Sequence, residues 1–288
     1  MWAIAINPTS GRGKGAVVGE KVIDYFSSQG LSYQVFSGAT ANQLRNELET
    51  FLTSHPIEGV ISVGGDGLAH LVMQLAVPRR IPFAVMPAGT GNDIVRTLGW
   101  SLDDIYPYLQ RVTGENAQQI DLGIVDSEWF AAILSTGFDS VVNERANTLA
   151  WPRGPQRYNV AIALELPRFK PIEYQIELDN QKISTEAMLI AIGNGRSYGG
   201  GMYVCPQAQL NDGLFDVMIL EPVSKVEFLK VFPTVYSGTH ISHPKVKVLR
   251  SAKVRLTADA VAYADGERIG PAPIYAECIR GAGLTWSL

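Results

Sequence analysis

Gly64-Gly65-Asp66-Gly67 and, about twenty residues later, Pro87-Ala88-Gly89-Thr90-Gly91-Asn92-Asp93 are the two stretches on which the fold turns. Each follows a short apolar, β-prone run (residues 59–63 and 83–86) and leads into a helical pattern, so each sits where a strand hands over to a helix N-terminus. That is a place for phosphate. Glycines let the backbone approach an anion, exposed N–H groups and the helix dipole favour negative charge, and Asp66 and Asp93 offer carboxylates suited to magnesium or to proton transfer. Alone, Gly-Gly-Asp-Gly also reads as a hairpin turn, and either acid as a helix N-cap. Two boxes on two strand ends favour the phosphate reading.

Around these boxes the first part of the chain alternates strand and helix patterns: residues 2–7, 16–29, 33–37, 41–53, 59–63, 68–77, 83–86 and 93–98. Such alternation predicts an N-terminal three-layer α/β nucleotide-binding domain on a parallel sheet, with ligands at the carboxyl ends of the strands. From about residue 118 the rhythm changes to short β-like runs at 119–125, 172–178, 187–192, 214–220, 245–249 and 253–257, with Asp179-Asn180 as one of the turns. This half predicts an antiparallel β domain, interrupted by helical stretches near 159–166 and 225–236. The expected boundaries are 1–120 and 121–288, with a cleft between closely packed domains.

Composition is that of ordinary soluble globular material: 288 residues, 46% hydrophobic and 18% charged. A net charge of -4 excludes nucleic acid as the main partner, because that role needs a basic stripe to displace counterions. No apolar run approaches the roughly 20 residues of a spanning helix, and residues 1–6 lack the basic flank and length of a signal peptide. A cytoplasmic location is expected. Cys205 and Cys278, the two cysteines, have neither metal-ligand spacing nor a disulfide framework and read as packing residues.

A third loop, Asn7-Pro8-Thr9-Ser10-Gly11-Arg12-Gly13-Lys14-Gly15, follows the first strand and reads as a triphosphate clamp or a flexible turn. It is no Walker A loop, since G-x-x-x-x-G-K-[ST] is absent. Taken with the two boxes and Arg96, Asn7-Pro8-x-Ser10-Gly11 resembles the diacylglycerol kinase catalytic domain family in its bacterial lipid kinase branch. The likeness continues through Gly193-Asn194-Gly195, Gly199-Gly200-Gly201-Met202, Pro206-x-Ala208, Asp212-Gly213-Leu214-Phe215-Asp216-Val217, Gly238-Thr239-His240-Ile241-Ser242-His243-Pro244 and Asp265-Gly266-Glu267.

The resemblance implies a C-terminal β-sandwich, last residues that return to the first domain, and ATP-dependent phosphorylation of a lipid hydroxyl in the cleft. It implies a nucleotide site formed by Asn7, Ser10, Gly11, Gly64, Gly65, Asp66, Gly67, Gly89, Thr90, Gly91 and Asn92, with Thr40 as a weaker member at a family-matching position. Phosphoryl transfer needs mainly a magnesium-neutralised triphosphate, an in-line acceptor and a group that takes its proton. Asp66 and Asp93 suit the metal, with Asp66 also counted catalytic. By resemblance, Asp212 with the carbonyls of Gln209 and Leu214 forms a structural magnesium site, against a plain Asp-Gly turn. Also by resemblance, Glu267 is the general base with Asp265 as its partner, while the spacing alone reads as a hairpin turn.

One departure bears on activity. After Gly-Gly-Asp-Gly the family continues Thr-x-Asn-Glu, whereas this chain has Leu68-Ala69-His70-Leu71. His70 either donates to a phosphate or packs the helix. His240 and His243 lack an acidic or cysteine ligand beside them and are set aside as metal ligands. Trp151-Pro152-Arg153 to Arg157-Tyr158, with Pro167-Arg168-Phe169-Lys170, interleaves rings and cations and suits a lipid headgroup region or an ordinary exposed loop. The expectation is an ATP- and magnesium-dependent lipid kinase acting on diacylglycerol or a related lipid, peripherally membrane-associated, without nucleic acid, its oligomeric state open between monomer and homodimer. Alternatives are a nucleotide- or lipid-binding regulator with a weakened phosphate site, and a kinase of a soluble alcohol like the NAD kinases.

Overall fold

The computed structural model describes residues 1–151 and 156–287. Two compact units divide the chain, one holding residues 1–122 with Arg280 onward, the other Gly123–Ile279. Among the described residues no helix is long and apolar enough to cross a membrane.

The first unit is built on four parallel strands, β1 (Trp2–Ile6), β2 (Tyr33–Phe36), β3 (Gly59–Gly64) and β4 (Phe83–Pro87), in the order β2-β1-β3-β4. Every residue of β1, β3 and β4 is buried. Continuous apolar strands of this kind require cover on both faces. Helices α1 (Ser10–Ser28), α2 (Ala41–Ser54), α3 (Asp66–Ala76), α4 (Asp93–Thr97) and α5 (Tyr106–Gly114) provide it. In α2 the buried positions Leu44, Leu48 and Leu52 recur every fourth residue, one stripe of a surface helix. Thr40 caps that helix by accepting from the Gln43 N–H at 3.2 Å. The C-terminal residues belong to this unit: Thr285 donates to the Phe83 carbonyl at 2.6 Å, and the Trp286 indole donates to the Glu115 carbonyl at 2.9 Å.

The second unit follows the strand period of two. Strands β5 (Gln118–Val125), β6 (Glu128–Phe130), β7 (Ile133–Gly137), β8 (Ile172–Leu178), β9 (Lys182–Ala187), β10 (Leu189–Gly193), β11 (Phe215–Leu220), β12 (Val246–Ser251), β13 (Lys253–Thr257), β14 (Val261–Ala264), β15 (Glu267–Pro271) and β16 (Ile274–Thr285) form two sheets. Their orders are β12-β11-β10-β7-β14-β15 and β6-β5-β16-β13-β8-β9, and β5 and β16 run past the boundary between the units. Tyr174 and Ile176 of β8, Val254 and Leu256 of β13, Ile190 and Ile192 of β10 and Val217 of β11 share one core, as inward positions of an antiparallel sandwich should.

The alternate residues Ala191 and Met218 face a second core instead, shared with helices α6 (Phe138–Thr148), α7 (Gln156–Glu165) and α8 (Lys225–Val231). Helices at 159–166 and 225–236 were expected; α6 was not. Asp179, expected only as a turn residue, also accepts from the amides of Ala252 and Lys253 at 2.6 and 3.1 Å and so ties two hairpins together.

Candidate active site

Three loops leave the carboxyl ends of β1, β3 and β4, and short backbone bonds hold them in register. The Asn7 N–H donates to the Val63 carbonyl at 3.0 Å and the Ala88 N–H to the Gly64 carbonyl at 2.8 Å. A Cβ on Gly89 would stand 2.4 Å from the Gly65 Cα, and one on Gly11 2.3 Å from the Ala88 carbonyl oxygen. Gly89 and Gly11 are therefore required by close backbone approach, whatever the loops bind.

The two acids of the boxes each lie in the first turn of a helix, Asp66 in α3 and Asp93 in α4. Asp66 opens α3, yet its Oδ1 accepts from the Ile94 N–H of α4 at 3.2 Å. Asn92 is the N-cap of α4 in left-handed conformation, and its side chain exchanges bonds of 2.8 and 3.1 Å with the Gly89 N–H and carbonyl. A Cβ on Gly91 would lie 2.8 Å from the Asp66 Oδ2 and 3.1 Å from the Asp93 Oδ2. The two carboxylates thus flank one point beside Gly91. Thr90 and Gly67 are exposed, and Ser10 is half-buried. Arg96 donates to the Gly91 carbonyl at 3.3 Å.

Other expected members sit differently. Asn7 uses its side-chain oxygen on Thr9, accepting from the hydroxyl at 2.9 Å. Thr40 is the cap of α2 described above. His70 is buried one turn into α3, with its Nε2 at 3.1 Å from the Gln74 amide, and Leu68 is buried against Gly64.

In the second unit, Asp265-Gly266 forms the turn between β14 and β15 with both residues at positive φ (50 and 88°), the geometry of a tight hairpin. The buried Asp265 carboxylate accepts three amides, from Ala131 at 2.7 Å, Ala132 at 2.9 Å and Ile133 at 3.2 Å. Glu267 begins β15 and is exposed. Asp212 accepts from the Leu214 N–H at 3.0 Å and pairs with Arg250, while Gln209 is exposed. Arg250 also faces Asp216 at 3.4 Å, whose carboxyl burial pushes above the usual range.

His240 is buried with Nε2 at 3.1 Å from the Val204 carbonyl, and burial lowers its pKa; His243 lies 3.3 Å from Glu227. Among the described residues no three His, Cys, Asp or Glu side chains gather as a metal-holding group. Magnesium commonly takes one or two carboxylates and completes its shell with phosphate and water, so Asp66 and Asp93 fit that ion as a pair. Of the basic-aromatic segment, Trp151 is 80% exposed and Tyr158, Arg168 and Lys170 are exposed; Arg153 lies outside the described residues.

Two carboxylates escaped the sequence reading. Asp139 opens α6 directly after β7, and burial pushes its carboxyl up to about 6 against opposing hydrogen bonds from Ser135, the Ser140 amide and Tyr198. Its signal was present, a strand handing over at Gly137 to a helix, but the antiparallel reading of this half concealed it. Asp121 is buried in β5 and accepts from the Gly281 N–H at 2.8 Å. An acid inside an apolar strand run is its only mark.

A parallel α/β unit with glycine loops and paired acids on its strand ends, followed by an antiparallel β-sandwich, defines a kinase-type nucleotide protein. The chain belongs to the diacylglycerol kinase family: residues 1–125 match the diacylglycerol kinase catalytic domain, and 132–283 match the YegS C-terminal NAD kinase beta sandwich-like domain. It is 33% identical to a Mycobacterium tuberculosis protein named diacylglycerol kinase over 93% of this chain and 88% of that one. A Bacillus subtilis diacylglycerol kinase is 29% identical over 89% of this chain and 88% of its own. A solved diacylglycerol kinase from Bacillus anthracis str. Sterne shares the fold, with a TM-score of 0.75 at 16% identity, covering 100% of this chain and 96% of that one. Membership makes this a lipid-kinase-like enzyme, with ATP the phosphate donor that a kinase family implies.

Proposed function

We propose that the protein is an ATP- and magnesium-dependent lipid kinase that phosphorylates the hydroxyl of diacylglycerol or a related lipid alcohol. One observation carries this reading: three loops meet through glycines at the ends of β1, β3 and β4, and Asp66 and Asp93 flank the point beside Gly91. In the proposed reaction the backbone N–H groups of these loops and the hydroxyls of Ser10 and Thr90 orient the phosphates. Asp66 and Asp93 hold magnesium, which when bound neutralises charge on the transferring phosphate. Glu267 accepts the proton of the lipid hydroxyl. Asp265, with both oxygens engaged by backbone amides, keeps the turn before Glu267 in place.

In the same proposal Asp212, with the carbonyls of Gln209 and Leu214, would hold a structural magnesium at the position where its carboxylate now pairs with Arg250. The enzyme is proposed to work at the cytoplasmic membrane surface. Because the second unit matches a domain described as NAD kinase-like, a soluble alcohol acceptor is the second reading.

ATP-dependent phosphate transfer to a panel of diacylglycerols, other lipid alcohols and soluble alcohols, NAD among them, tests these readings. Transfer to diacylglycerol supports the first and selective transfer to a soluble alcohol the second. ATP binding without transfer to any acceptor overturns both and leaves a regulator.

A further inference from the structure

The stretch 225–237 continues from α8 into a 3-10 turn, and it is apolar on two sides. Its inner side places Phe228, Phe232 and Val235 in the core shared with α6 and α7, and Val231 is buried as well. Phe228 stands edge-on to Phe138 at 4.9 Å and Phe232 stacks on Phe228 at 6.0 Å. These contacts account for one helical stripe. A second stripe at the same period, Val226, Leu229, Pro233 and Tyr236, points to solvent, with Val226 65%, Leu229 57% and Tyr236 54% exposed. Exposed apolar side chains aligned on one face of a helix form a patch of the kind that marks a binding surface.

Charge selects that counterpart. The chain carries a net charge of -4, yet cations border this stripe. Lys230 is exposed within it, and Lys225 at its start donates to the Phe169 carbonyl, which fixes the exposed Arg168 and Lys170 beside it. The neighbouring carboxylates are engaged elsewhere: Glu165 with Arg145 at 2.5 Å and Glu227 with His243 at 3.3 Å. The same stretch lines an open groove of about 590 Å³, whose walls mix Val226 and Val231 with Glu227, Lys230, Thr234 and His243. A four-residue ridge is far short of the roughly 20–30 residues per side of a stable protein interface. It suits the apolar-polar boundary of a lipid leaflet, where apolar side chains enter the acyl region and cations meet anionic headgroups.

We propose that the outer face of 225–237, with Arg168 and Lys170, docks the protein on an anionic lipid surface. The proposal rests on the lipid kinase reading for its purpose but not for its test, because binding is measured without ATP. Sedimentation with phosphatidylglycerol vesicles should show the wild-type protein bound, and Val226→Asp/Leu229→Asp bound about tenfold or more weakly. Lys170→Gln/Lys230→Gln should lose about fivefold per cation on these vesicles and change little on phosphatidylcholine. All four positions are exposed, and an unchanged melting temperature checks folding.

With a lipid acceptor, the aspartate variant should lose turnover on vesicle-embedded diacylglycerol and keep it on monomeric dioctanoylglycerol. Wild-type binding lost in the variants sustains the docking face even if no lipid is phosphorylated. Failure of the wild type to bind anionic vesicles, equal binding by wild type and the aspartate variant, or a wild-type dimer that the aspartate variant abolishes would each overturn it. Transfer to diacylglycerol with unchanged vesicle binding overturns the docking face alone and leaves the kinase reading intact.

Discussion

Gly65 and Gly89 meet backbone against backbone: the position a Cβ would take on Gly89 is 2.4 Å from the Gly65 Cα, closer than any side chain can be accommodated. Two boxes about twenty residues apart in sequence are thereby brought into direct contact. Gly89→Ala should separate them, costing about 1–3 kcal/mol of stability from overpacking and weakening ATP binding more than a surface mutation would. Thermal melting and nucleotide titration check this; unchanged ATP affinity would detach the contact from the phosphate site.

Asp66 serves two purposes, and two substitutions separate them. Asp66→Asn retains an oxygen for the Ile94 N–H and should melt close to wild type while losing about a hundredfold or more in turnover, the scale of removing a pre-organised charge. Asp66→Ala removes the cap as well and should lose about 1 kcal/mol of stability besides. Near-wild-type turnover of the asparagine variant would take Asp66 out of the chemistry.

Asp265 and Glu267 should divide between structure and reaction. Asp265→Ala strands three amides on the consecutive residues Ala131, Ala132 and Ile133, where the chain enters β7, and should destabilise the protein by about 3 kcal/mol. Glu267→Gln alters an exposed side chain, so melting should be unaffected while turnover falls. Full activity of this variant would place the base elsewhere.

Asp212→Ala deletes an acceptor for the Leu214 N–H and the partner of Arg250, and should lower the melting temperature by the equivalent of about 1–2 kcal/mol. A magnesium-dependent rise in melting temperature that is present in the wild type and lost in this variant is expected if the ion replaces the guanidinium. Identical melting of the wild type in magnesium and in chelator would leave Asp212 to Arg250.

Asp139 gives a pH dependence of defined sign. Its carboxyl titrates near 3.8 when unfolded and at about 6 when folded, so between these values the native state holds the extra proton. Stability should therefore fall as pH rises from about 4 to about 6, by about 2 kcal/mol after allowing for solvent access, and stay level above. Asp139→Asn should remove this slope and raise stability at pH 7. An unaltered slope in denaturant titrations of the variant would assign it to another carboxylate.

Much of the parallel half was legible because its signals are local. Apolar runs, glycines and helical periods lie within windows of ten to twenty residues, and the stretches expected up to residue 98 match β1 to β4 and α2 to α4 within two residues, while α1 starts at Ser10 and not at residue 16. The second half was harder. β6, β14 and β15 are three to five residues long, too short to carry a pattern. α6 begins at Gly137-Phe138 with an irregular apolar face, which propensity alone does not separate from a strand.

By itself the sequence determined the order of strands and helices in the first unit, the three phosphate-type loops, and the family, because these reside in residue types at fixed spacings. Only the tertiary structure decided what each polar group is bonded to. Asp66 caps a helix that starts 27 residues later, and Asp265 receives amides more than 130 residues earlier in the chain. Val226 and Leu229 read as core-type residues, yet they lie on the outside of a helix whose inner face is already filled. Hydrogen-bond partners and burial depend on the packing of distant segments, and no local window of residues contains that information.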